Sequence, residues 1–543
     1  MTAPPGVDQS TFLPAGAVAP GFAWNTDVSD EPERQDGRER YTAVIDVGSG
    51  SARAVVMQVN PGGGIEIVAQ QRVNLNLMSH VDEDGSLDEI GVANTVDALE
   101  DFAMVARGFG VQTILAVGTA ALRESRNALA IIDMADERFG VPLRIIPGDD
   151  EAAYCFLGAI HGLPVADGLL ADIGGGSTEL VEFSDRTMRA SVSLPLGSLR
   201  IANRFNLTDR PAPEDVHAAY EFVHSTLHEA GVRQLASNEA LIGSGGSVRL
   251  LSRLDRWREP YPIIKIHGYQ VDAESLAEQT RQLATRSCVE RLAMEGMNPD
   301  RGHTIVGGAI IAHALAQYAH ADGIVVSGQG LREGLARHPH LSPNPDSVAA
   351  PPLESIRAAS LVDLVNRFVP RFSRRGRRRA ALAAGIGAAV WEPDGREIRE
   401  PLQCAAFLLD IGNAIDFYNR LNRTASIIVR TDLPGFTHRE STLVAGILLA
   451  AERKKLPRRF RRSKLLQMDD HELIRQAAAA LLLSEELENR LPIGCNSDVV
   501  RFERQNGMLS VTTPAWSSAA GQRLRERWNA AFGEDINIVR CES

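Results

Sequence analysis

The chain is poor in several things. Aromatic residues make up 5% of its 543 positions, and its five cysteines, Cys155, Cys288, Cys404, Cys495 and Cys541, stand far apart. That spacing excludes a paired zinc or redox motif and a disulfide framework. With no basic-then-apolar export segment at the start, it predicts a protein of the reducing cytoplasm. No apolar run approaches bilayer length; one of the longest, 477–483, is seven residues of Ala and Leu, so no membrane anchor is expected. Positive charge is also in deficit. A formal charge of −12 argues against broad nucleic-acid binding, and a polyanionic substrate would need local basic patches.

What is present is ordinary globular material, 44% hydrophobic and 23% charged, in a chain too long for one core. Residues 1–40 are rich in Pro, Gly, Asp and Glu without periodicity and read as a disordered leader. From 41 to about 335, strand-like runs at 42–47, 114–117, 169–173 and 324–326 alternate with helical patterns, which predicts an α/β fold. The expected lobes are 41–165 and 166–340, followed by a proline-rich connector at 341–353. A helical module is expected over 354–490, with one of its patterns running through 404–421. A small α+β cap is expected over 491–543.

An internal repeat organises the first part. DVGSGSARAVVMQV, from Asp46, returns as DIGGGSTELVEF from Asp172 with Asp, Gly, Gly and Ser at matching offsets. Two related lobes are implied. Each copy reads as a β-hairpin with a Gly/Ser tip, and two such tips can face each other across a cleft.

Gly48, Ser49, Gly50 and Ser51 form the first tip, and Gly174, Gly175, Gly176 and Ser177 the second. A third glycine loop, 243–247, sets Gly245, Gly246 and Ser247 at a helix start. Without a Cβ the backbone amides come close to a ligand, and successive amides make an anion nest. A lone glycine run is most often an ordinary turn; three, two of them with Asp in register, point to a phosphate-chain site. Asp46 and Asp172 end buried strands, where they either offer hard oxygens to Mg²⁺ or cap their own turns. Asp149, Asp150 and Glu151 open an amphipathic helix, where acids suit the helix dipole. Glu151 and Glu179 also suit activation of water and metal holding at a cleft edge. Arg123 follows the strand at 114–117, the edge where open α/β sheets bind ligands, and its guanidinium suits phosphate.

In order and spacing, DVGSGSAR, GTAALRES, PGDDEAAYCFLGA, DIGGGSTEL, LPLGSLRI, GSGGSVRLL and SGQGLREG resemble the motifs of the exopolyphosphatase and guanosine pentaphosphate phosphohydrolase family over residues 41–335. The resemblance implies two ribonuclease-H-like lobes of the actin, heat-shock-70 and sugar-kinase type. It implies Glu151 as the catalytic glutamate, Glu179 as a second essential acid, Asp46 and Asp172 on the metal side, and Arg123 as a substrate arginine. Mg²⁺ is the implied ion, with a monovalent cation such as K⁺ as a further one. Gly50, Asp150 and the run Arg301–His303 depart from the family's usual Asn, Glu and RAD.

FLLDIGNAIDFY and TDLPGFTHRE resemble part of the HD-type domain of longer family members, without its histidines at Leu409, Arg423, Thr424 or Glu452. Since Leu and Thr do not replace imidazole, no metal hydrolase centre is expected there. Two basic runs remain, Arg371, Arg374, Arg375, Arg377, Arg378 and Arg379, and then 453–464 with eight Lys and Arg. Together they suggest a track for a polyanion.

The reading is a Mg-assisted, processive exopolyphosphatase acting on inorganic polyphosphate. The alternatives are guanosine pentaphosphate hydrolysis, a kinase of the same superfamily, and a non-catalytic polyphosphate or nucleotide sensor. Family analogy suggests a homodimer.

Overall fold

The structure is a computed structural model that describes residues 41–543 apart from 61–62, 112, 340–347, 371–372, 392–395, 453–454, 493, 506, 518–520 and 542–543. The leader expected over 1–40 and most of the proline-rich connector lie outside the described residues. The described chain divides into two units, one of residues 41–258 and 266–352, the other of residues 259–265 and from 353 onward.

The first unit is built on two sheets of matching order. β1 (Thr42–Val47), β2 (Ser51–Val59), β3 (Ile65–Asn74), β4 (Thr113–Gly118) and β5 (Leu143–Ile145) are arranged β3-β2-β1-β4-β5. β1, β2 and β3 pair antiparallel, and β4 and β5 add on in parallel. The second sheet has β6 (Gly168–Ile173), β7 (Thr178–Ser184), β8 (Thr187–Leu194), β9 (Ala240–Ser244), β10 (Tyr269–Asp272) and β11 (Gly323–Val326), in the order β10-β11-β9-β6-β7-β8. Apart from the antiparallel edge strand β10, it repeats the first sheet strand for strand. The sequence repeat is thus a repeat of topology.

Why these segments become strands is plain in β1: TAVIDV is mostly β-branched or apolar and is buried along nearly its whole length, as a central strand covered on both faces must be. The helix Gly148–His161 joins the two sheets in sequence and is buried from Glu151 to its end. Tyr154 and Cys155 pack with Val44, Val117 and Leu331, while Phe156, Leu157 and Ile160 pack with Leu170 and Val181 of the second lobe. The helix Leu331–Arg337 lies against it at backbone contact, since a Cβ at Gly158 would strike the Gly330 carbonyl and one at Gly334 the Tyr154 carbonyl.

The second unit is mostly helical, with Leu353–Phe368, Ser373–Val390, Arg396–Leu408, Arg420–Ile428, His438–Glu452 and Asp470–Glu488 sharing one core. The expected helical pattern through 404–421 is broken by a 3-10 turn at Leu409–Ala414. Gly412 fits against the Arg420 carbonyl where a Cβ would not, and its N–H donates to Thr424 Oγ1 at 3.0 Å. β12 (Arg501–Gln505), β13 (Met508–Thr513) and β14 (Ile536–Arg540) form a small sheet beside the helix Gln522–Phe532. Leu509, Val511 and the fully buried Trp528 belong to the helical core, so this sheet has no core of its own.

Candidate active site

The two hairpin tips close in the same way, Gly48 N–H to Ser51 O at 3.2 Å and Gly174 N–H to Ser177 O at 2.9 Å. They also meet: a Cβ on Gly176 would lie 2.6 Å from Ser49 Oγ, and one on Gly175 3.7 Å from Gly50 N. The third loop begins the helix Gly246–Arg256. Gly245 has φ of 95° and lies directly under the Ile173 carbonyl, so only glycine fits. Ser247 is fully buried, with its hydroxyl turned toward Gly308; what it can offer a ligand is its place at the helix start.

The strand register places the charged residues. Asp46 stands opposite Arg53, and Asp172 stands opposite Glu179. Arg53 and Glu179 therefore hold the same position in the two repeats, a cation in one lobe and an acid in the other.

Glu151 lies in the first turn of the helix Gly148–His161. Its Oε2 accepts from Arg123 Nη1 at 3.0 Å, and the same Nη1 donates to the Ile146 carbonyl at 2.9 Å. Burial and the nearby charge of Glu179 push the Glu151 carboxyl well above its ordinary range, against the opposing pull of Arg123. Glu179 accepts from Ser193 Oγ at 2.9 Å. Burial and Asp172 raise it to about 7, opposed by bonds from Ser177 and Ser193. Asp46 is raised by burial while Arg332 and Arg53 hold it down. Cys155 donates its S–H to Asp172 Oδ2 at 3.0 Å, and burial keeps that thiol protonated.

The charge of Asp172 thus reaches Glu151, Glu179 and Asp46, and that of Glu179 reaches Glu151. Asp149 and Asp150, on the same helix turn, are set apart: Asp149 accepts from Ser191 Oγ at 3.1 Å in an exposed contact. Arg123, expected to meet substrate, has its Nη1 engaged by Glu151 and the Ile146 carbonyl.

Several lining residues were assigned no role from sequence. Arg53, Arg249, Arg301 and Arg332 crowd one another; burial, then Arg332 and Arg249, depresses Arg53 to about 9, at which it is still charged at neutral pH. Burial, then Arg72, brings Arg301 to about 10. Glu333, buried beside Arg332 and Arg249, accepts from Gly330 N–H at 2.8 Å. Partly buried guanidiniums crowded together are relieved by an anion. For three of them the signal was in the quoted motifs: Arg53 ends DVGSGSAR, Arg249 follows the third loop, and Arg332 with Glu333 lies in SGQGLREG.

Asp46 and Asp172 fit Mg²⁺ through the chemistry of their donors, partly buried carboxylate oxygens beside other acids. Among the described residues no three His, Cys, Asp or Glu side chains form a ready cage.

In the second unit the first arginine run is largely used internally. Arg375 and Arg378 reach the buried Glu488 at 2.7 and 2.5 Å, and Arg379 donates to Asp410 at 2.6 Å and to the Ala406 carbonyl. Asp410, in the segment expected from sequence to resemble an HD-type domain, is held by a guanidinium. Arg371 lies outside the described residues. In the second run Arg458, Arg459, Arg461 and Arg462 are exposed.

A model of the Ppx/GppA phosphatase family matches residues 55–339, just over half of the chain. The chain belongs to the Ppx/GppA phosphatase family. It is accordingly a hydrolase of phosphoanhydride bonds. It is 26% identical over 524 residues, 93% of its own length and 100% of the relative, to a guanosine-5'-triphosphate,3'-diphosphate pyrophosphatase of Vibrio campbellii. A protein of the same name from Vibrio vulnificus is 27% identical over 427 residues, 76% of this chain and 81% of the relative. An exopolyphosphatase structure from Cytophaga hutchinsonii has a TM-score of 0.50 at 22% identity, over 55% of this chain and 97% of that one, and shares the Ppx/GppA fold. No described helix is long and apolar enough to cross a membrane.

Proposed function

We propose that this Ppx/GppA phosphatase releases the terminal phosphate of inorganic polyphosphate by attack of a water held by Glu151. The observation that carries the reading is the meeting of two glycine tips near Glu151, Glu179 and four partly buried arginines. Backbone amides of the tips and the loop at 245–247 would cradle the phosphates, and the guanidiniums of Arg53, Arg249, Arg301 and Arg332 would offset their charge. Glu151, fixed by Arg123, would orient the water and take its proton at Oε1, the oxygen left by the arginine. Glu179, fixed by Ser193, would share the second acidic position with Asp46 and Asp172 at the metal side. Mg²⁺ held there would supply charge neutralisation at the transferred phosphoryl group.

Guanosine pentaphosphate is the second reading, supported by the activity for which the two Vibrio relatives are named and by their cover of most of this chain. The exposed arginines 458, 459, 461 and 462 support the polymer instead. Steady-state kcat/KM on long-chain polyphosphate and on guanosine pentaphosphate, with Mg²⁺, tests the choice. A higher value for the nucleotide would overturn the polymer reading.

A further inference from the structure

Cys155 is one helical turn beyond Glu151, so both side chains leave the same face of the helix Gly148–His161. Its sulfur is fully buried among Val44, Val117 and Leu331 and lies 3.0 Å from Asp172 Oδ2. Asp172 belongs to β6 in the second lobe, and this is the one hydrogen bond its carboxylate makes among the described residues. The helix that carries Glu151 is therefore tied by a thiol to the strand that carries Asp172.

We propose that Cys155 is a positioning residue that fixes the rotation of the Asp172 carboxylate, an inference resting on the reading of Asp172 as a metal-side residue. A thiol is a weak donor. It commits Oδ2 to the protein and leaves Oδ1 and most of the negative charge for a cation, where a stronger donor would draw more of that charge away. Groups behind a metal-side carboxylate set its orientation in this way, and their loss typically weakens metal binding without touching the ion. The apolar neighbours Val44, Val117 and Leu331 of Cys155 offer no donor in its place, so its loss would take this bond from Oδ2.

Two measurements on the full chain test this, with Cys155→Val keeping the shape and removing the donor, and Cys155→Ser restoring a donor. The S–H stretching band, assigned by its loss in Cys155→Val, should lie at a bonded-thiol frequency and move to the free-thiol position in Asp172→Ala. A free-thiol band in the wild type overturns the proposal whatever the activity. Mn²⁺ binding followed by electron paramagnetic resonance should weaken about tenfold in Cys155→Val and stay within about twofold in Cys155→Ser. Equal Mn²⁺ affinity in the wild type and Cys155→Val overturns it, as does a wild type that binds no Mn²⁺. A wild type that binds Mn²⁺ with the expected order of variants but releases no phosphate supports the role of Cys155 and overturns the function proposed above.

Discussion

Arg123 Nη1 bridges the Glu151 carboxylate and the Ile146 carbonyl at 3.0 and 2.9 Å, so the guanidinium is anchored to the backbone just ahead of the helix that presents the acid. The pair does two things at once. It selects one rotation of the carboxylate, and it opposes the burial and the Glu179 charge that push Glu151 toward its protonated form.

Removing the guanidinium in Arg123→Met should raise the Glu151 carboxyl further. A base must be ionised to act, so the acidic limb of the kcat/KM profile should move to higher pH, and the rate at neutral pH should fall about tenfold or more. The check is a pH–rate profile with polyphosphate at saturating Mg²⁺. A limb that stays where it was would show that Arg123 serves only the substrate.

The lobes of the first unit are clasped at two exposed points. Asp300 accepts from Arg72 at 2.7 Å and from Asn74 at 3.0 Å, and Arg200 reaches Glu124 at 2.8 Å. Each exposed pair contributes at most about 1 kcal/mol, so Asp300→Asn with Glu124→Gln should leave the melting temperature nearly unchanged. Lobe opening should nevertheless become easier, with amide exchange at 48–51 and 174–177 about fivefold faster. Unchanged exchange would mean that the glycine tips hold each other without the clasp.

Glu488 is the anchor of the second unit's arginine helix. Burial opposes its charge, yet Arg375 and Arg378 keep its carboxyl below the usual range. A carboxylate depressed on folding contributes in full above its unfolded pKa of about 4.3, and that contribution is lost as pH falls through the lower folded value. Glu488→Ala should therefore destabilise the unit by about 3 kcal/mol at neutral pH, with the deficit against wild type shrinking in acid. Urea unfolding at pH 7 and in mild acid checks both.

Much of this was legible in the sequence for physical reasons. Central strands such as β1 are continuous apolar runs, and the two glycine tips between them repeat, so the hairpins, the Asp positions and Glu179 could be read from pattern alone. Ser193 and Arg301 could not, because they come from segments that meet the rest only when the fold is assembled, and Arg249 and Arg332, though inside the quoted motifs, acquire their neighbours only then. Arg53 was the exception left unread: it occupies in one repeat the offset Glu179 holds in the other. The run at 371–379 misled in the opposite direction. Its charge looked like free surface, but Glu488 and Asp410, far along the chain, take up Arg375, Arg378 and Arg379. The pattern through 404–421 hid a break because Gly412 acts through its contact with Arg420.

If a basic surface of the second unit guides long polyphosphate, it is the exposed set at 458–462. Replacing Arg458, Arg459, Arg461 and Arg462 with Gln should lower processivity on long chains, seen as intermediate lengths on gels, and leave turnover of short chains within about twofold, since exposed charges act mainly through long-range attraction. Undiminished processivity would remove this surface from the account.

The most direct test of the central claim is phosphate release from long-chain polyphosphate with Mg²⁺, wild type beside Glu151→Gln, a change that keeps the side chain's bulk and removes its carboxylate. The account predicts steady release by the wild type and a loss of about a hundredfold or more in the variant, the scale of a lost general base. Release by Glu151→Gln at the wild-type rate would contradict it.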